Sequence, residues 1–109
     1  MKLRLKDDFV YDHLTMEWLY EVAKIMRQRF LEVGLSEEQS REIGGTILFD
    51  IGMLHDQSDI EGIDENEVSA RYIPRISFVD KEGDLLISAQ DSGLHEYAFG
   101  ANDSAYDEA

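Results

Sequence analysis

Hydrophobic positions between Leu14 and Val33 recur at the spacing of an α-helix and form the strongest pattern in the chain. At 100° per residue they fall on one broad face. Gly34 follows as a stop signal, and Leu35 beyond it can contact Phe30, as in a Schellman motif. The pattern therefore predicts a helix over residues 14–33 whose buried face comprises Leu14, Trp18, Leu19, Val22, Ile25, Met26, Phe30 and Val33.

Arg29 falls on the same arc as these apolar residues. Its stem can pack there while its guanidinium reaches water. Alternatively, it pairs with a carboxylate from the acidic part of the chain.

Ser36 and Gln39 have the spacing of a capping box, which predicts a second helix running to about His55. Its first apolar face comprises Ile43, Ile47, Leu48, Ile51 and Leu54, and Phe49 and Met53 lie nearly opposite, beside Gly45 and Gly52. Each helical glycine costs roughly 1 kcal/mol relative to alanine, which suggests a close backbone approach. The partner surface is either the first helix or a second copy of the chain, which would meet Phe49, Met53, Gly45 and Gly52.

The rest of the chain alternates between turn signals and short apolar runs. Strands are expected at residues 2–6, 72–79, 84–89 and 94–99, with Gly83 in the turn between the middle two. Residues 56–67 are expected to form a polar loop, residues 66–70 a helical turn, and residues 101–109 a frayed acidic tail after one domain over 1–100. The predicted fold class is α+β: a helical hairpin packed on a small antiparallel sheet of three to four strands, in the order β-α-α-β-β-β.

Charge is distributed unevenly along the 109 residues. The chain has 24 acidic and 10 basic residues, a net charge of −14. Residues 1–36 are neutral, so residues 37–109 carry the whole excess, and neither 50–67 nor 82–109 contains a lysine or arginine. This balance argues against a protein that binds nucleic acid by neutralising phosphates. The N-terminus lacks a signal-peptide core and no apolar run approaches the ~18 residues of a membrane span, so a cytoplasmic protein without membrane contact is expected.

Motifs for catalysis or metal binding are incomplete. Counted from Asp56, the acidic loop matches a calcium-binding EF-hand at several positions, but Ile60 replaces a ligand and Gly62 comes one position late. The stretch from His95 to Phe99 lacks the second histidine of a zinc-protease helix, and the chain has no cysteine. No nucleophile elbow or phosphate-binding glycine loop is present. We therefore expect neither an enzyme nor a bound cofactor.

The acidic loop is the best candidate for a functional surface. Carboxylates of one sign raise association rates with a basic partner, and apolar residues among them can serve as anchors. The sequence predicts a binding protein, such as an inhibitor, an immunity-type protein or a mimic of nucleic-acid charge, that docks on a basic protein surface. The alternative is a structural or regulatory homo-oligomer whose acidity serves solubility, and a divalent-metal-dependent protein is a third option. The predicted partner-binding residues are Asp56, Asp59, Ile60, Glu61, Ile63, Asp64, Glu65 and Glu67.

Overall fold

The computed structural model describes residues 3–6, 8–88 and 93–107, with side chains over residues 10–87 and 93–107. The three helices and five short strands within these ranges confirm the α+β class, although a third helix replaces the expected last strand. In chain order the elements are β1 (Leu3–Lys6), α1 (Asp8–Glu32), α2 (Glu37–Gln57), β2 (Ile60–Ile63), β3 (Ser69–Tyr72), β4 (Phe78–Val79), β5 (Leu85–Ser88) and α3 (Leu94–Asp107).

Helix α1 ends in the predicted Schellman motif. Gly34 has φ +97°, the Leu35 N–H donates to the Phe30 carbonyl at 3.1 Å, and the Gly34 N–H donates to the Leu31 carbonyl at 3.1 Å. Both bonds satisfy carbonyls that the end of a helix leaves without partners.

The buried face of α1 is shifted from the predicted one. Leu19 and Ala23 are fully buried, whereas Ile25 and Val33 are 61% and 78% exposed. The shift arises because α1 packs on both α2 and α3, so its inward arc includes Ala23, a residue that the hydrophobic pattern passes over.

Helix α2 begins with the predicted capping box. The Ser36 hydroxyl accepts from the Gln39 N–H, and the Gln39 side chain accepts from the Ser36 N–H, both at 3.1 Å. Its most buried residues include Gly44, Gly45, Leu48 and Gly52, while Ile43 and Leu54 of the predicted first face are about 40% exposed or more.

Helix α3 corrects two expectations, the strand at residues 94–99 and the frayed tail, because the chain is helical from Leu94 to Asp107. Leu94, Ala98 and Ala105 are buried at helical spacing. Small side chains on this face let α3 approach the glycines of α2 closely. Glu108 and Ala109 lie outside the described residues.

The hydrophobic core forms where the three helices meet. Its buried members are Leu19, Ala23, Leu48, Leu94, Ala98 and Ala105. All of them are helical, so this cluster is formed by the packing of the three helices on one another.

The strands form two separate sheets. Strand β5 lies between β1, to which it is parallel, and β4, to which it is antiparallel. The turn before β5 is as predicted, since Gly83 has φ +86° and donates to the Asp80 carbonyl. Strands β2 and β3 form an antiparallel hairpin in place of the expected loop and helical turn. Within the described part of the chain, no helix combines the length and apolarity that crossing a bilayer requires.

Candidate functional site

The β2–β3 hairpin, residues 60–72, stands apart from the helices. Neither strand packs against a helix or against the three-stranded sheet to any substantial extent. The Cα radius of gyration is 16.0 Å, whereas a compact chain of this length has about 13 Å. The accessible surface of 7275 Å² exceeds the value of about 6,200 Å² expected for a compact monomer of this mass by about 1,100 Å². The protruding hairpin fits both excesses.

Apolar side chains on the hairpin and its flank lie in solvent. The predicted anchors Ile60 and Ile63 are 46% and 64% exposed. Three further residues, Val68, Tyr72 and Ile73, are 45–57% exposed. The prediction located the first two but not the other three, because it assigns residues 66–70 to a helical turn and residues 72–79 to a strand.

Cross-strand register places Ile60 opposite Tyr72 and Gly62 opposite Ala70, so these four residues share one face. The Tyr72 ring lies over Gly62, where an added Cβ would be 3.1 Å from the ring. The Tyr72 hydroxyl donates to the Ile63 carbonyl at 2.9 Å. This face of the hairpin is therefore apolar and is held in one conformation by its tyrosine.

The tip of the hairpin is ordered by Asp64. Its carboxylate accepts from the Asn66 N–H at 2.8 Å and the Val68 N–H at 3.0 Å. Glu67 adopts φ 62°, the left-handed region that a non-glycine residue rarely occupies. Asp64 is thus part of the turn, while Glu65 and Glu67 are exposed at the tip.

Two predicted partner-binding carboxylates contact the opposite strand. Asp59 accepts from Arg71 Nε at 3.0 Å, and Glu61 accepts from the Ser69 hydroxyl at 2.7 Å. The Asp59–Arg71 pair is about half exposed on both sides. Such surface contacts contribute little to stability and leave both carboxylates accessible to a partner.

Asp56 does not belong to the exposed acidic surface, which corrects the prediction for this residue. Its side chain is only 2% exposed. It accepts from the backbone N–H groups of Leu94 at 3.2 Å and His95 at 2.8 Å, and it pairs with His95 Nδ1. Asp56 therefore caps α3, where a negative charge also compensates the helix dipole.

The predicted self-association residues also lie within the fold. A Cβ on Gly52 would be 2.6 Å from the His95 backbone, and one on Gly45 would be 3.0 Å from the Phe99 ring. Phe49 is half-buried and stacks on Phe99 with a centroid distance of 5.5 Å. Met53 is half-buried. The close approach inferred from the glycines is present, but α3 of the same chain makes it, rather than α1 or a second copy.

Gly44 makes room for a buried polar side chain. Asn102 is 2% exposed, and its amide nitrogen donates to the Arg41 carbonyl at 2.8 Å. The Asn102 Oδ1 atom would lie 2.9 Å from a Cβ on Gly44. A side chain on Gly44 would therefore displace a buried polar group that joins these two helices.

Residues 56–67, which partly match a calcium-binding loop in sequence, do not form such a loop in the structure. The segment forms a hairpin, and Asp56, the first position of the compared loop, is directed to α3. Within the described residues, no three histidine, cysteine or carboxylate side chains come together in a way that could hold a metal ion.

Several basic residues are paired within the chain. Arg29 pairs with Glu32 on its own helix at 3.0 Å, so it does not reach the acidic part of the chain. Arg27 meets Glu37, and Arg41 meets both Asp103 and Asp107. These pairs join neighbouring helices or consolidate one helix. They account for only part of the 24 carboxylates.

Comparisons with other proteins give no functional lead, since no family model, curated protein or solved structure matches this chain. What the protein does is therefore inferred from its own residues.

Proposed function

We propose that this chain is a non-enzymatic acidic binding protein whose β2–β3 hairpin docks on a basic surface of a partner protein. The observation that carries the proposal is the exposure of apolar residues on a hairpin over which no other described element of the chain packs. Ile60, Ile63 and Tyr72 are each 45–64% exposed there, with carboxylates around them.

A hairpin of this kind gains little stability from its own contacts. Two strands without a covering layer are marginal in water. Fully burying one isoleucine side chain contributes about 1.5–3 kcal/mol, and protein interfaces concentrate such residues inside a polar rim. The hairpin thus has the composition of a recognition element.

Charge favours a basic partner over a neutral one. Residues 59–72 contain five carboxylates and one guanidinium, a net charge of −4 within an overall charge of −14. A negative field of this kind accelerates encounter with a cationic surface and disfavours acidic surfaces. An inhibitor or immunity-type protein for a basic enzyme, or a mimic of nucleic-acid charge, would work in this way.

Affinity capture with two matched double variants tests the proposal. Ile60→Ser with Ile63→Ser removes the hairpin anchors, whereas Ile25→Ser with Ile43→Ser removes two exposed isoleucines from α1 and α2. We expect the unaltered chain and the helix variant to retain the same basic proteins at about 50 mM NaCl and to release them at about 500 mM. The hairpin variant should retain none of them. Equal retention by both variants, or retention of no basic protein, would contradict the proposal.

A homo-oligomer is the second candidate, and exposed apolar residues on the helices favour it. Ile25 on α1 and Ile43 and Leu54 on α2 are 40–61% exposed, whereas Gly45 and Gly52 are covered by α3. Light scattering of the chain and of the Ile25→Ser, Ile43→Ser variant distinguishes the two functions. A dimer mass that falls to monomer in this variant would favour the oligomer, and a monomer mass in both would remove it.

A further inference from the structure

We infer that a groove between α1 and α3 binds an alkyl polyamine, that is, a methylene chain with an ammonium group at each end. The groove has a volume of about 560 Å³ and is lined by Met16, Glu17 and Tyr20 from α1 and by Glu96, Tyr97 and Ala101 from α3. This inference is independent of the hairpin and of whether the hairpin has a partner.

The lining combines two kinds of surface that suit such a ligand. Tyr20 and Tyr97 are half-buried rings, and Met16 adds an exposed thioether chain. Glu17 and Glu96 are exposed carboxylates, one from each helix. The described residues that line the groove include no lysine or arginine, although the Lys24 ammonium contacts the Tyr20 ring from beside it. Ring faces and apolar chains contact methylenes, while carboxylates contact ammonium groups. One carboxylate on each helix favours a ligand with two positive ends over a ligand with one.

The chain itself shows that a ring in this groove receives an ammonium group. Lys24 Nζ lies 4.6 Å from the centroid of the Tyr20 ring and 2.9 Å from Glu21 Oε1. Glu17 and Tyr20 likewise bring a carboxylate and a ring to the groove lining. Lys24 pairs with Glu21, which is not among the lining residues, and the Glu17 charge also acts on Lys24.

Tyr97 lines one side of the groove, and a hydrogen bond fixes its hydroxyl. Its hydroxyl donates to Asp12 Oδ2 at 3.1 Å. Burial and this hydrogen bond raise the pKa of Tyr97 above its ordinary value. Asp12 adds a further negative charge at the hydroxyl end of the ring.

Calorimetric titration of the full chain with spermidine tests the inference against non-specific attraction to an acidic protein. Glu17→Gln with Glu96→Gln and Glu65→Gln with Glu67→Gln each remove two exposed charges, the second pair from the hairpin tip. We expect one site whose affinity for spermidine falls about tenfold or more in the groove variant and changes less than about twofold in the tip variant. Cadaverine should bind more tightly than pentylamine, because it has a second ammonium group.

Four results would overturn the inference. Equal losses in the two variants would indicate general attraction to the net charge. Equal affinity for hexaamminecobalt(III), a trivalent cation without an alkyl chain, would indicate that the rings play no part. Equal affinity for pentylamine and cadaverine would indicate a site for a single cationic end, such as a lysine side chain of a partner. Amide chemical-shift changes at Gly100 and Ser104, which also line the groove, would place the ligand between the helices, and an absence of such changes would exclude it from there.

Discussion

The Asp56 carboxylate at the end of α2 accepts a 2.8 Å hydrogen bond from the backbone N–H of His95 at the start of α3. A residue from the most acidic part of the chain is thus committed to holding two helices together. Asp56 therefore stabilises the fold, whereas the exposed carboxylates of the hairpin are available to a partner.

Removing this cap should destabilise the protein. Asp56→Ala leaves the first N–H groups of α3 and the His95 ring without their acceptor, and we expect a loss of about 2 kcal/mol in the free energy of unfolding. Glu65→Ala removes an exposed carboxylate at the hairpin tip and should change that free energy by less than about 0.5 kcal/mol. Urea denaturation of both variants measures the difference. Equal stability of the two would show that Asp56 does not act as a cap.

Two glycines should respond to alanine in opposite directions. A Cβ at Gly52 would lie 2.6 Å from the His95 backbone, whereas one at Gly100 meets nothing within 4 Å. Gly52→Ala should therefore cost about 2 kcal/mol or more through overpacking, while Gly100→Ala should gain about 0.5–1 kcal/mol through helix propensity. Thermal denaturation distinguishes them, and a stabilising Gly52→Ala would refute the close contact of α2 with α3.

The predictable part of this fold is the part specified by local signals. Periodic apolar residues and the Ser36–Gln39 capping box define α1 and α2 before any tertiary contact forms. Helix α3 was missed because its buried face uses Ala98, Asn102 and Ala105 instead of large apolar residues, and because Asp56, 38 residues before Leu94, supplies its cap. A local sequence pattern around Leu94 therefore cannot reveal this cap.

The candidate site was likewise predictable only in part from the sequence. The exposure of Ile60 and Ile63 was predicted from apolar residues set among carboxylates, and the structure agrees. The hairpin itself depends on pairing with residues 69–72, and it brings in Tyr72, which the sequence pattern assigned to a different strand. The role of Asp56 depends on α3 and could not be inferred before that helix was known.

The hairpin should be the least protected secondary structure in the isolated chain. Amides of β2 and β3 are expected to exchange hydrogen through local opening at rates close to those of an unfolded peptide, since no helix or strand in the described ranges packs over them. Amides around Leu19 and Leu48 should exchange only through global unfolding. Hydrogen exchange followed by mass spectrometry measures both, and equal protection of the hairpin and the helical core would show that the hairpin is part of one cooperative unit.

Alkaline pH should weaken the contact between α1 and the segment before β4. Tyr11 is 2% exposed, and its hydroxyl donates to the Ile76 carbonyl. Burial raises the pKa of Tyr11 above its ordinary 10.0, with Arg75 opposing the increase. A raised folded-state pKa means that this contribution to stability is complete below pH 10.0 and is lost as the pH rises through the folded-state pKa.

Tyr11→Phe isolates this effect. The variant should be less stable than the unaltered chain at neutral pH by about 1 kcal/mol, because the hydrogen bond is lost. The difference should shrink as the pH rises above 10.0, since only the unaltered chain has this phenol to ionise. Urea denaturation across this range measures the difference, and a gap that stays constant or widens would contradict the account.

Site-specific photo-crosslinking in cells that contain the protein's natural partners tests the central claim most directly. A photoreactive amino acid replaces Ile63 on the hairpin in one variant and Val33 after α1 in another; the two side chains are 64% and 78% exposed. The account predicts a crosslink from position 63 to a protein with a basic surface and none to that protein from position 33. Crosslinks to the same protein from both positions, or only from position 33, or from position 63 to a second copy of this chain, would contradict it.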